Sequence, residues 1–369
     1  MIYKAIGLMS GSSLDGLDIV FASFHENGGK WTYEIMAADC YSYPGDWGRR
    51  LRDASSLNAL DYQLLHADYG HFLGQQVNKF IEEKNLQYQV ALVASHGHTV
   101  FHLPARRMTA QLGDGAAIAA ETKLPVVSDL RTMDVALGGQ GAPIVPIGEK
   151  LLLNEYDLFL NLGGIANISS NPSSSSGQEY IAFDVCPANR VLNMLANDAV
   201  MEYDDEGRIA RSGKIDNELL SQLNVMEYYQ LNYPKSLAND FGTEIIYPMI
   251  KDTGIPTNNL LRTYTEHIVI QIKQSILSLK GKHQASNLKL LCTGGGAFNT
   301  FLVERLKEQL KELHIEVVVP NAQLIKYKEA LIMALIGILR WREKTNVLSS
   351  VTGAERDSVG GALWMGQEE

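Results

Sequence analysis

Short β-forming runs and helical stretches pass through one order twice along this chain, and that repetition limits its possible folds more than any other feature. In the first half, Ala5 to Met9, Leu17 to Phe24 and Trp31 to Ala38 are rich in β-formers and separated by turns carrying Gly or Asn. Ser56 to Lys84 then places Leu57, Leu60, Leu64, Leu65, Phe72, Val77, Phe80 and Ile81 at helical spacing. A strand at Val90 to Ala94, a helix-like Ala116 to Thr122 and a strand at Val126 to Ser128 follow. The pattern restarts with strands at Leu158 to Leu162, Ile165 to Ser169 and Tyr180 to Val185. Helices are expected near Asn189 to Val200 and Leu260 to Leu279, a strand at Leu288 to Cys292 and a helix at Phe298 to Leu313. A strand at Ile315 to Val319 and a helix at Lys328 to Lys344 complete it. Both halves read β-β-β-α-β-α-β, with little residue identity between them. The Ser-rich stretch Asn171 to Gln178 reads as a hairpin tip inside the second half.

A chain of 369 residues is too long for one ordinary core. Two α/β lobes facing each other across a central cleft are therefore expected, residues 1–134 with 345–369 forming one and 135–344 the other. A content of 46% apolar and 20% charged residues is that of an ordered globular protein. The formal net charge of −10 speaks against nucleic acid as a partner. It leaves room for a phosphorylated small molecule, which backbone N–H groups and a bound cation can hold locally. Cys40, Cys186 and Cys292 are odd in number and far apart, with neither a disulfide framework nor zinc spacing. They read as small buried hydrophobes in a reducing compartment. The start, MIYKAIGLMSG, lacks the charged leader and apolar run of a signal peptide. The longest apolar run, Ala330 to Leu339, is about half of what a bilayer requires. The expectation is a cytoplasmic protein with no membrane partner.

Glycine-bearing strand ends carry the chemistry. Gly11, Ser12, Ser13, Leu14, Asp15, Gly16, Leu17 and Asp18 lie between the first two strands. Small residues let backbone approach an anion, and successive N–H groups form a nest for it. Asp15 makes sense beside phosphates as a ligand of Mg²⁺, direct or through water. The plain alternative is a hairpin with polar turn residues. Gly163 and Gly164 hold the equivalent place in the second half. Gly294, Gly295 and Gly296 follow a strand and precede a helix, which suits phosphate or adenosine. The spacing is not that of a dinucleotide fingerprint.

Asp184, in FDVCPAN, ends an apolar strand and is either a helix cap or a general base. In Ser95-His96-Gly97-His98-Thr99 the two histidines lack a third metal ligand, which favours polar contacts to a substrate or structural hydrogen bonds. Arg131, between GDG and GGQGAP, is either a bidentate clamp for a carboxylate or a surface ion-pair partner.

Together these segments resemble anhydro-N-acetylmuramic acid kinases. The resemblance rests on GLMSGSSLDGLD, SHGHTVFHLP, QLGDGAAIA, SDLRTMDVALGGQGAPIVP, LNLGGIANIS, FDVCPAN, LCTGGGAFN, KEA at Glu329 and SVTGA. It implies an actin-like ATPase (ribonuclease H-like) fold and an ATP- and Mg²⁺-dependent homodimer in cell-wall sugar recycling. In the implied reaction, water opens 1,6-anhydro-N-acetylmuramic acid at C1 while O6 takes the γ-phosphoryl group. It further implies Asp184 as the base, Gly11 to Asp18 as the ATP phosphate loop, Gly294 to Gly296 near the nucleotide, and Arg131 and Glu329, with His98 and Thr99, on the sugar side. The sequence departs from the family where Ser12 stands for Thr and where FDVCPAN stands for FDTGPGN. It departs again where YPKSLAND stands for PPKSTGRE, and where Glu149 lies near a customary His. These departures bear on the sugar more than on the kinase class. The alternatives are a kinase of another amino sugar, with Asp184 deprotonating a hydroxyl, and a non-catalytic nucleotide sensor.

Overall fold

The computed structural model describes residues 1–11, 14–171, 180–233, 235–237, 240–280 and 287–366. It divides into two compact units, Met1–Leu153 with Tyr327–Glu369, and Asn154–Lys326. The first unit holds the sheet strands β1 (Ile2–Ser10), β2 (Leu17–Asn27), β3 (Lys30–Tyr41), β4 (Leu92–Ser95) and β7 (Val126–Ser128), and a separate hairpin of β5 (His98–Leu103) and β6 (Met108–Leu112). The second holds β8 (Leu158–Leu162), β9 (Ile165–Ser170), β10 (Ile181–Pro187), β11 (Leu288–Thr293) and β12 (Ile315–Val318). The chain returns to the first sheet with β13 (Ala362–Trp364), antiparallel to β7.

Both sheets share one construction. The first runs β13-β7-β4-β1-β2-β3 and the second β10-β9-β8-β11-β12. In each, the unit's first strand lies between an antiparallel second strand and a parallel fourth. The duplicated β-β-β-α-β-α-β order is therefore present in the sheets themselves. Apolar alternation produces it: in β1, Ile6 and Leu8 enter the first core beside Ile19 and Phe21 of β2. In the second unit, Leu158, Leu160 and Leu162 of β8 pack with the buried Leu261, Ile268 and Ile272 of the helix Thr257–Lys280.

The observed division differs from the expected boundaries. Residues 135–153 and 327–344 belong to the first unit. Close backbone packing causes this. Gly7 in β1 lies so near the helix Ala322–Trp341 that an added Cβ would stand 1.9 Å from the Ala330 carbonyl oxygen. Farther along the same helix, a Cβ at Gly337 would stand 2.6 Å from the Ala94 Cβ of β4. That helix also starts before the expected Lys328, because Asn321 Oδ1 caps it by accepting from Leu324 N at 2.9 Å. The sequence reading missed β5, β6 and β13, and the short helices Arg208–Ser212, Asn217–Asn224, Glu227–Gln230 and Tyr247–Lys251. Most of the expected hairpin tip, residues 172–178 of 171–178, lies outside the described residues.

Gly7→Ala is expected to lower stability by roughly 1–3 kcal/mol, the usual range for overpacking a tight core contact. Urea denaturation measures it, and an unchanged midpoint would contradict this packing.

Candidate functional site

In the second unit, the ends of β8 and β11 and the middle of β10 carry the predicted groups; Asp184 does not end its strand, which runs on to Pro187. β10 is apolar on both sides of Asp184: Phe183, Val185 and Cys186 are all in the core. Its pairing with β9 shifts register between Asp184 and Cys186. Asp184 itself stays paired with Asn167, and strand alternation puts it opposite the buried Phe183 and Val185, where it is only partly buried. The residue that the bulge leaves unpaired is Val185. Leu237 N donates to Asp184 Oδ2 at 2.9 Å, and Asp184 N donates to Lys235 O at 3.2 Å. Tyr228 OH donates to the Asp184 carbonyl at 2.7 Å. Burial pushes the Asp184 carboxyl above the usual carboxylate range, opposed by the Leu237 N–H. These contacts make Asp184 an oriented, partly desolvated carboxylate and not the cap of the helix Asn189–Asn197, which has no side-chain cap bond.

Two glycine turns lie beside that helix start. Gly163 O accepts from Asn189 N at 3.1 Å, and Gly164 O accepts from Ala188 N at 2.8 Å and Arg190 N at 3.3 Å. Asn189 Nδ2 donates to Leu162 O at 2.8 Å. Gly294, at φ 80°, comes so close to β8 that a Cβ would lie 2.4 Å from Asn161 Oδ1. At Gly296 a Cβ would meet Asn189 Oδ1 at 2.9 Å. The structure thus gathers Gly163, Gly164, Asn189 and Gly294–Gly296 at the carboxyl ends of β8 and β11, where open α/β sheets bind ligands.

In the first unit, β1 ends in Ser10, at the turn between β1 and β2. Ser10 Oγ lies 2.7 Å from Tyr43 OH and 3.1 Å from His98 Nδ1, and Tyr43 OH lies 2.8 Å from Tyr69 OH. His98 is buried in this network beneath the turn. Thr99 is exposed and accepts from Gln111 Nε2 at 3.3 Å. Within the turn, Leu14 N donates to Gly11 O at 3.3 Å and Leu14 has φ 58°. Gly16 is needed for packing against β3, where a Cβ would stand 2.6 Å from Cys40 Sγ. The Leu17 side chain belongs to the core, and Asp18 bonds the Cys40 thiol. So Gly16 and the side chain of Leu17 have packing roles within the turn. Ser12 and Ser13 lie outside the described residues.

Arg131 is organised from two sides. Its Nε donates to His96 Nε2 at 2.8 Å and its Nη1 to Gly141 O at 2.5 Å. His96 Nδ1 lies 2.8 Å from Gly97 O, so the ring is neutral with its proton on Nδ1. Burial and the adjacent Arg131 hold the His96 pKa down to about 3. Burial lowers Arg131 to about 10, against the opposing charges of Glu329 and Asp134. Arg131 and Glu329, both expected on the sugar side, are therefore electrostatic neighbours within one unit. Asp134 lies behind them, with no exposure. Its Oδ2 accepts from Gly141 N and its Oδ1 from Thr352 Oγ1, each at 2.7 Å. It joins the GGQGAP loop to the SVTGA segment.

Among the described residues, no three His, Cys, Asp or Glu side chains cluster as a metal site. Asp15 is exposed at the turn. One carboxylate suits an ion that arrives on a nucleotide's phosphates but does not build a protein cage. Surface hollows around Lys307 and Lys311, and around Tyr88 and Lys123, contain none of the predicted groups. Sequence reasoning missed Ser10, Tyr43, Tyr69 and Asp134, whose importance lies in contacts made across long sequence separations.

The profile of the anhydro-N-acetylmuramic acid kinase family matches residues 3–366. This chain belongs to that family. It is a sugar kinase, and its substrates are a small-molecule sugar and ATP. The anhydro-N-acetylmuramic acid kinase of Bacillus thuringiensis subsp. konkukian is 30% identical, covering 97% of this chain and 98% of its own. The enzyme of the same name from Bacillus anthracis is also 30% identical, with the same coverage. A more distant solved structure is the activator of 2-hydroxyisocaproyl-CoA dehydratase from Clostridium difficile with bound ADPNP. It has 14% identity and a TM-score of 0.45, covering 92% of this chain and 96% of that one. No helix among the described residues is long and apolar enough to cross a membrane.

Thr352→Val is expected to cost about 2 kcal/mol, because it leaves the buried Asp134 carboxylate short of a donor. Thermal or urea unfolding at neutral pH checks this, and wild-type stability would contradict the assigned contact.

Proposed function

We propose that this kinase converts 1,6-anhydro-N-acetylmuramic acid, water and ATP into N-acetylmuramic acid 6-phosphate and ADP. The observation that carries the reading is the oriented, partly buried Asp184 carboxylate on β10. One oxygen is held by the Leu237 N–H, and burial raises its proton affinity. A carboxylate so placed is a general base.

In this reading Asp184 takes a proton from water as the water oxygen bonds to C1 of the sugar. The C1–O6 bond breaks, and O6 takes the γ-phosphoryl group as ADP leaves. Glycosidases use a second carboxyl group to protonate the departing oxygen. Here phosphorus captures that oxygen, so one base is sufficient. The turn Gly11–Asp18 and the glycines at 163–164 and 294–296 are assigned to the nucleotide, whose phosphates need positioning and charge neutralisation. Mg²⁺, bound with the nucleotide and with Asp15 as its candidate protein ligand, would supply part of that neutralisation. Arg131, steered by His96 and Gly141, and Glu329 are assigned to the sugar's polar groups, with exposed Thr99 as a further contact. His98 is assigned to support of the β1–β2 turn through Ser10.

The departures from the family pattern are compatible with this substrate. Val185 and Cys186 are buried in the core, behind the carboxylate they flank. Glu149 forms a buried ion pair with Lys328 at 2.9 Å, which gives it a structural partner.

Asp184→Asn is expected to lower kcat by about 10²–10⁴-fold, the usual range for a positioned base, with ADP affinity retained. In the wild type, the acid limb of the rate profile should lie above the ordinary carboxylate range, because only the ionised base works. Wild-type turnover by the Asn variant, measured as ADP release with the anhydro sugar, would remove Asp184 from the mechanism.

A further inference from the structure

Arg190 is the second residue of the helix Asn189–Asn197. Its guanidinium lies against the glycine turn: a Cβ on Gly164 would be 3.6 Å from Arg190 Nε and 3.8 Å from Nη2. Its Nε is buried and finds no acceptor among the described residues. Among the described residues, none of the ion pairs involves Arg190. Arg262 of the same unit also has a buried Nε without an acceptor, but its guanidinium is compensated by Glu266 at 3.8 Å, and Arg305 pairs with the same carboxylate at 2.9 Å. A buried guanidinium N–H without an acceptor is unfavourable unless something else supplies one.

The surroundings indicate the kind of acceptor. Both turn carbonyls beside Arg190 are occupied by backbone N–H groups of residues 188–190. Their lone pairs are thereby partly neutralised, which reduces repulsion toward an anion. A second orphan lies at the same strand ends. Thr293, 1% exposed, precedes Gly294 and pairs in register with Asn161, and its Oγ1 has no partner. Two polar donors without acceptors, beside two glycine turns, call for a ligand rich in acceptor oxygens.

We infer that Arg190 is a nucleotide-binding residue, its guanidinium donating to a phosphate oxygen held at the Gly163–Gly164 turn. The inference rests on the kinase reading only as far as nucleotide binding, and is independent of which sugar accepts the phosphoryl group. Arginine suits the role because its planar fork remains charged and can donate twice to one phosphate. The FDVCPAN motif is followed directly by this residue, so the charge joins the catalytic strand's own helix to the nucleotide.

The competing explanation is that Arg190 serves only through its aliphatic stem. Arg190→Met retains a stem of similar length and removes the charge, and Arg190→Lys restores a cation without the fork. Calorimetric titration of each purified full-length variant with ADP, alongside steady-state KM for ATP and for the anhydro sugar, separates the two. The expected result is ADP affinity reduced about 10–100-fold in Arg190→Met and partly recovered in Arg190→Lys, with KM for ATP rising in parallel. The sugar KM and the melting temperature should remain those of the wild type. Unchanged ADP affinity in a folded Arg190→Met variant would overturn the inference, as would a loss confined to the sugar. If the wild type binds ADP in an Arg190-dependent way yet does not turn over the anhydro sugar, the substrate reading fails and this inference stands.

Discussion

One carboxylate emerging from a strand otherwise committed to the core is the constraint on which the account depends. Phe183, Val185 and Cys186 hold β10 in the second unit's interior. The alternation of β10 turns one polar side chain away from that burial while Asp184 stays paired with Asn167, and the register shift that follows falls at Val185. Beyond the bulge, Tyr264 OH donates to Pro187 O at 2.8 Å. The strand is thus anchored beyond the point where its pairing is irregular. A general base needs a fixed direction and a proton affinity suited to neutral pH. Anchoring supplies the first, and partial desolvation raises the proton affinity of Asp184 in the direction the second requires.

The glycines divide into two kinds by what surrounds them. Gly7, Gly16 and Gly337 are small because backbone or a core side chain lies where a Cβ would be. Gly163 and Gly295 have no atom within 3.0 Å of a notional Cβ. Packing alone therefore does not require glycine at 295 and constrains 163 only moderately, through Ile165 O at 3.3 Å, which leaves room for another group to approach. Gly294 combines both conditions, with positive φ and a near contact to Asn161. The same distinction applies among the histidines. His96 is neutral because its Nε2 must accept from Arg131, whereas His98 supports Ser10 from within the fold.

The repeated strand pattern and the position of Asp184 were legible in the sequence because they depend on local periodicity and short motifs. The hairpin β5–β6 was not, since both strands are short and mostly exposed, so no buried apolar run marks them. The boundary near residue 327 was missed because Asn321 extends the helix backwards and two glycines bind its later turns to the first sheet. Asp134 was passed over because its partners, Gly141 and Thr352, lie far apart in sequence from one another. Arg190 was hidden by its ordinary setting near a helix start. The missing acceptor at its Nε, with no ion pair among the described residues and the Gly164 turn beside it, marks it.

The destination of solvent oxygen tests the central claim most directly. The enzyme would be run with ATP and 1,6-anhydro-N-acetylmuramic acid in ¹⁸O-labelled water, and the phosphorylated product analysed immediately by mass spectrometric fragmentation. Attack by an activated water predicts label on C1 and none in the phosphate. Product carrying no label at C1, or label in the phosphoryl group, would contradict a mechanism in which Asp184 directs water at the anhydro bridge.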